Sequence, residues 1–364
     1  MFVSTFTEND SSQSIKPLNS ILKNTLCAFV RSQILFVAVR LNLFSIIDES
    51  PTKSLSYEEL KCHRISLNML TYLVYLRLLK RCSISHRYEC TNVTRTYLVS
   101  SRENYVGRGL GVWDSRRQYT FFLRLNETLK YGIRTSEDGS EQTTLWSILE
   151  QQHDPMIFFA SIMSSFTRCT IAELCDSVDF SSYTMLLDIG GSLGDLSRTI
   201  IRHYPHIKAI SFDLPELTNY ARSLTTDHSN VKYVAGNFFE EKWSDEILDN
   251  LQYIDLISLK YILHDWTYKQ RQVLVEKIFQ LMKKKIEMYG GNETLLVIEK
   301  MIDPNRENVT TLSTSVSMAI ECGDGIGYDT TQNEYEQLLI DAGFRRIQSV
   351  HLTGPIVALF AHVV

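Results

Sequence analysis

At 364 residues, with 44% apolar and 22% charged side chains, the chain is long enough for two domains and has the make-up of an ordinary globular protein. A formal net charge of −5 argues against a nucleic-acid partner, which calls for a basic domain. Seven cysteines, none in a CxxC pair or at zinc-ligand spacing, point to a reducing compartment rather than to a disulfide framework or structural zinc. Residues 1–14 are polar and lack the apolar core of a secretory signal. No uninterrupted apolar run nears the roughly 20 residues of a membrane span. The expectation is a cytoplasmic protein with no membrane partner.

From Leu18 to Leu43 apolar residues recur at helical spacing, through Ile21, Leu22, Leu26, Phe29, Val30, Ile34 and Val37. Leu35, Phe36 and Val39 add a second apolar side, so this helix belongs at the centre of its domain or under a second chain. Ser56-Tyr57-Glu58-Glu59 is a capping box that starts a short helix. Leu67 to Cys82 reads as a further apolar helix, and Ser83 to Ser100 as a small β-hairpin. Three helices and a hairpin are the order of a winged helix, here residues 1–108. A DNA-reading winged helix needs a polar, basic recognition helix. Arg77, Lys80 and Arg81 sit only at the C-terminal end of theirs, where the helix dipole accounts for them equally well. Residues 109–180 read as connecting helices with a polar loop at 135–144.

From residue 181 strands and helices alternate, which specifies an α/β fold with a mostly parallel sheet covered on both faces. The predicted strands are Met185–Ile189, Ile207–Phe212, Asn230–Ala235, Asp255–Leu259 and Thr294–Glu299. Phe344–Leu352 and Pro355–Val364 form a terminal hairpin about Thr353-Gly354. The first strand runs into Asp188-Ile189-Gly190-Gly191-Ser192-Leu193-Gly194, a glycine turn leading into a helix. A helix N-terminus prepared for a pyrophosphate does not welcome the Asp188 carboxylate. A ligand with an ammonium and a sulfonium tolerates it, which favours S-adenosylmethionine over NAD or ATP.

Asp213 ends the second strand, where a carboxylate accepts both ribose hydroxyls of an adenosine; as a turn or N-cap residue it would do nothing of the kind. Asn237 and Phe238 follow the third strand, placed to bond the adenine edge and cover its face, or else to close an ordinary turn over core aromatics. Past the fourth strand comes Lys260-Tyr261-Ile262-Leu263-His264-Asp265-Trp266, at the sheet end where ligands gather. His264 has the ordinary pKa for proton removal near neutrality. Taken alone it reads more readily as a structural histidine. Glu299 at the end of the fifth strand and Asp329 before the next helix are the carboxylates that fix an imidazole's tautomer and stabilise its charge.

Together these residues resemble the S-adenosylmethionine-dependent O-methyltransferases of the plant caffeic-acid and animal acetylserotonin type, over nearly the whole chain. The resemblance implies a class I methyltransferase, Rossmann-like domain over residues 181–364 behind an N-terminal winged-helix dimerisation domain, and a homodimer acting on a small aromatic metabolite. In that family Leu-His-Asp-Trp carries the general base, here His264, and the lysine four residues earlier, Lys260, lies at the cofactor. The supporting acids fall on Glu299 and, counting back from Ala342-Gly343-Phe344, on Asp329. The binding glycines fall on Gly190, Gly191 and Gly194, and the ribose acid on Asp213. Phe159, Met163, Phe166, Met318 and Trp266 are candidates for the acceptor wall. Ser192 stands in place of a family glycine, Asn237 in place of an aspartate and Asp329-Thr330-Thr331 in place of Glu-Arg-Thr. Those departures keep three alternatives open: methylation of nitrogen or carbon, a silent cofactor-binding scaffold, and metal ligation by His264 and Asp265, although no metal is expected.

Overall fold

A computed structural model describes residues 20–107, 109–110, isolated positions between 119 and 130, and residues 153–224, 230–322 and 330–363. The chain divides into two compact units, Met1–Leu110 and Gly111–Val364.

In the first unit, helices α1 (Ser20–Leu26), α2 (Ala28–Arg40) and α3 (Leu43–Asp48) replace the single helix expected over Leu18–Leu43. The chain stops at Asn42, whose φ of 52° is the left-handed conformation that ends helices and that asparagine tolerates. The capping box forms as read: the Ser56 hydroxyl accepts the Glu59 N–H and the Glu59 carboxylate accepts the Ser56 N–H, opening α4 (Tyr57–Lys61). The helix expected over Leu67–Cys82 ends early. Helix α5 covers only Leu67–Tyr75, Arg77 turns the chain at φ 59°, and Leu79–Arg81 becomes β1. Its antiparallel partner is β2 (Tyr88–Cys90), so the hairpin lies earlier than expected. Thr91 then caps a helix, α6 (Asn92–Tyr97), in a stretch whose alternation reads as strand. Leu43, Phe44, Ile47, Leu60, Leu70, Leu73 and Tyr88 form the core. Leu22, Leu26, Phe29 and Val30 stay exposed along α1 and α2.

The second unit opens with α7 (His153–Ser177) and continues through β3 (Met185–Ile189), α8 (Asp195–His203), β4 (Lys208–Asp213), α9 (Pro215–Leu224), β5 (Val231–Ala235), α10 (Asp245–Asp249) and β6 (Leu256–Lys260). After them come α11 (Tyr268–Tyr289), β7 (Thr294–Ile302), α12 (Val309–Cys322), β8 (Thr330–Thr331), α13 (Gln332–Ala342), β9 (Arg345–His351) and β10 (Ile356–His362). The sheet order is β5-β4-β3-β6-β7-β10-β9, with β8 added beside β7. Strands β3 to β7 run parallel, and β10 enters antiparallel between β7 and β9, so every predicted strand is present within a few residues of its expected ends. Alternation decides the faces. Leu187, Ile257, Leu259 and Val297 pack under α11 and α13, while Leu186, Leu256, Leu296 and Ile298 pack under α7 and α8.

Helix α7 contains a stretch, Met156–Ser177, that by length and composition would cross a membrane. Its apolar residues have a different use. Ile171, Leu174 and Cys175 pack on the sheet, and Met156 and Ala160 pack with Leu193, Leu217 and Ala221. The chain reverses direction across the sheet between β3 and β6, and the carboxyl ends on either side of that point frame a crevice suited to a ligand.

Candidate active site

The glycine loop leaves β3 with Gly190 at φ 69°, Ser192 at 52° and Gly194 at 77°. A Cβ on Gly191 would collide with the Ser211 hydroxyl, and one on Gly194 with the Tyr233 ring and hydroxyl, so both glycines shape the loop from behind rather than face a ligand. The Asp188 carboxylate, expected to face a ligand's positive charge, is buried beneath the loop. It accepts hydrogen bonds from Ser197 Oγ (3.0 Å) and Ser258 Oγ (2.8 Å). Burial pushes its pKa up against the pull of those hydroxyls and of Lys260. Asp188 therefore ties β3 to α8 and β6 and contributes no atom to the cavity wall. Asp213 does border the cavity. It accepts the Ser192 and Leu214 N–H groups, each at 2.7 Å, and burial pushes its pKa up to about 6. That short bond from Ser192 anchors the glycine loop to β4.

On the other side of the switch, β6 ends at Lys260 and Tyr261 takes φ 55° while its N–H bonds the Ile298 carbonyl (2.9 Å). A single tight turn, Leu263–Asp265, follows. The fully buried Glu299 holds this turn. Its Oε1 accepts the Ile262 N–H (3.0 Å) and the Leu263 N–H (2.8 Å), and its Oε2 accepts His264 Nδ1 (2.7 Å). His264 Nε2 lies 3.2 Å from Asp265 Oδ1. Burial disfavours the imidazolium, but the Glu299 and Asp265 carboxylates outweigh it and hold His264 well above the usual imidazole range. Among the described residues no group of three His, Cys, Asp or Glu could hold a metal ion.

One cavity of about 480 Å³ spans these carboxyl ends. Gly190, Asp213, Asn237, Phe238, Lys260 and His264 all border it, with Phe159, Met163, Phe166, Trp266 and Met318. Glu299 stands behind His264, and Asp329 lies outside the described residues. Asn237 uses its side-chain carbonyl to accept the Phe239 N–H (2.9 Å). Trp266 packs edge-on to Phe238 and Phe239, at centroid distances of 5.8 and 4.6 Å, which puts it at the Phe238 end of the cavity. Its buried indole N–H has no hydrogen-bond partner among the described residues. Ser192 and Asp265 also border the cavity, as do Tyr261, Lys300, Thr310, Thr314 and Ser317, which were not singled out as site residues from sequence. The signal for Lys300 was present, as a lone cation in an otherwise apolar strand beside Glu299.

Residues 130–345 match the family model of the O-methyltransferase domain, and residues 24–100 that of the O-methyltransferase dimerisation domain. The chain belongs to the O-methyltransferase family. This methyltransferase is 27% identical over 354 residues to bovine acetylserotonin O-methyltransferase, covering 94% of this chain and 97% of that one. It is 29% identical to the tetracenomycin polyketide synthesis 8-O-methyl transferase TcmO of Streptomyces glaucescens, covering 92% and 94%. In fold it is similar to human N-acetylserotonin methyltransferase in complex with SAM, with a TM-score of 0.81 at 23% identity over 96% of this chain and 99% of that one.

Ser192 holds a left-handed conformation that glycine adopts without strain. Ser192→Gly is therefore expected to stabilise the methyltransferase by about 1 kcal/mol, read as a higher urea midpoint at unchanged slope.

Proposed function

We propose that this chain transfers the methyl group of S-adenosylmethionine to a hydroxyl of a small aromatic secondary metabolite, with His264 as general base, Glu299 as the group that orients it and Asp329 as a second supporting acid. The observation that carries the reading is the Glu299–His264 bond of 2.7 Å at the cavity wall. Gly190, Asp213, Asn237, Phe238 and Lys260 would hold the cofactor, with Gly191 and Gly194 setting the loop's path. An aromatic face, an acceptor carboxylate and an unpartnered indole N–H on one cavity fit a nucleoside. When bound, the cofactor supplies an electrophilic methyl group on sulfur. Phe159, Met163, Phe166 and Met318 would exclude water and align the acceptor, and alignment accounts for much of the rate in such a displacement. A phenol ionises near pH 10, so attack at neutral pH needs a base at its oxygen. The acceptor hydroxyl competes with Asp265 for Nε2, and only the neutral imidazole takes its proton.

Residues 1–108 would form the dimerising domain, 109–180 would add to the acceptor pocket and 181–364 would carry methyl transfer, in a cytoplasmic enzyme. The exposed Leu22, Leu26, Phe29 and Val30 lie in or beside the matched dimerisation region and suit a second copy of the chain. Light scattering at micromolar concentration is expected to give a homodimer. Leu26→Glu with Phe29→Glu is expected to give monomers.

Because the His264 pKa is raised, the neutral base appears only as pH climbs. Turnover is thus expected to go on rising with pH beyond the point at which an ordinary imidazole is already neutral. His264→Ala should keep cofactor affinity, lose roughly 10²–10⁴-fold in kcat and recover as the acceptor ionises unaided. Unchanged turnover of that variant at every pH would remove His264 from the mechanism.

Asp213 bonds ribose hydroxyls best as a carboxylate, and its pKa of about 6 sets where that form is lost. Calorimetry should show S-adenosylhomocysteine affinity falling as pH drops through that value. Asp213→Ala should weaken binding by about 1.5–3 kcal/mol and flatten the pH dependence.

A further inference from the structure

Two lysines border the cavity, and they stand in different electrostatic settings. Lys260 lies among Asp188, Asp195, Glu299 and Asp213, whose charges oppose the effect of burial on its ammonium. Lys300 directly follows Glu299 on β7, so alternation sends it to the other face of the sheet. There it is half-buried, with Nζ 5.7 Å from the centroid of the Tyr261 ring. The same ring lies 5.9 Å from the His264 imidazole, so Lys300 and His264 flank one aromatic platform in one cavity. Among the described residues no carboxylate forms an ion pair or hydrogen bond with Lys300. The wall beside it is hydroxylated: Thr310, Thr314 and Ser317 reach the cavity from successive turns of α12. The rest of the acceptor wall, built of Phe159, Met163, Phe166 and Met318, is apolar.

A half-buried ammonium in a cavity this apolar is stabilised by an anion placed against it, and a ring face offsets only part of its lost hydration. We propose that Lys300 is a specificity-determining residue that reads an acidic group, a carboxylate, on the acceptor. The acceptor is then an aromatic body that carries the reacting hydroxyl and, apart from it, an anion. The apolar wall takes the ring, Lys300 and the α12 hydroxyls take the carboxylate, and His264 takes the hydroxyl proton. This rests on the methyl-transfer reading for what happens at the hydroxyl, but the charge preference is a property of binding and is measured separately.

The test uses two matched pairs of probes, 3,4-dihydroxybenzoate with 3,4-dihydroxybenzamide and 3-hydroxy-2-naphthoate with its primary amide. Calorimetry is run on the full chain saturated with S-adenosylhomocysteine, with folding of each variant checked by circular dichroism. The wild type should bind at least one acid ten-fold or more tighter than its amide. Lys300→Met should bring that ratio near one, and Lys300→Arg should restore it. Acid and amide binding alike in both pairs, or a preference that survives in Lys300→Met, would overturn the proposal. So would a preference that emerges only in Asp329→Asn, because Lys300 would then be serving the Asp329 carboxylate. Mass-spectrometric assay of methyl transfer to the same probes separates the two readings. Charge-selective binding without methylation of oxygen leaves Lys300 in place and removes the phenol chemistry, whereas equal methylation and binding of acid and amide does the reverse.

Discussion

The candidate site depends on one buried carboxylate. Glu299 sits inside β7, with no exposure to solvent, and accepts three hydrogen bonds from a single neighbouring turn, two from backbone N–H groups and one from His264. A buried carboxylate left unpaired is costly, so those donors must be supplied, and supplying them fixes the turn. Tyr261 pays for this with a left-handed backbone, a conformation a bulky aromatic residue adopts only where its surroundings impose it. The imidazole that results has its tautomer set by Glu299 and its remaining nitrogen against Asp265.

Carboxylates elsewhere at the sheet ends are disposed of differently, and the differences divide structure from chemistry. Asp188 is consumed by two serine hydroxyls and serves as a strut between three elements. Asp213 is half engaged: two backbone N–H groups hold it in place while it still borders the cavity. Lys260 lies near all of these acids and Glu299, balancing negative charge that burial would otherwise expel. The cluster of acids thus supports one another's placement through a shared cation, and of Asp188, Asp213 and Glu299 only Asp213 borders the cavity.

The glycine loop shows how little of a motif is about its ligand. Gly191 and Gly194 are required because Ser211, Asp188 and Tyr233 crowd the space a Cβ would need. Gly190 and Ser192 reach the cavity, and the serine accepts an unfavourable φ of 52° while donating its N–H to Asp213.

The parallel sheet, its terminal hairpin and part of the residues bordering the crevice were legible in the sequence, because a strand buried on both faces writes a continuous apolar run and ligands collect at strand ends. The N-terminal helices were legible in kind but not in extent. Their breaks at Asn42 and Arg77 are single-residue left-handed turns, which apolar periodicity does not register. The sequence by itself determined, to within a residue, which positions stand at the carboxyl ends of β3 to β6, since strand endings follow from the local pattern of apolar residues and turns, whereas β7 runs past Glu299 to Ile302. Only the tertiary structure decided that Asp188 is a strut, that Trp266 packs with Phe238, and that Lys300 shares an aromatic platform with His264. Each of those relations joins segments distant along the chain, and burial and partner choice are set by the packing of the sheet, which no local periodicity encodes.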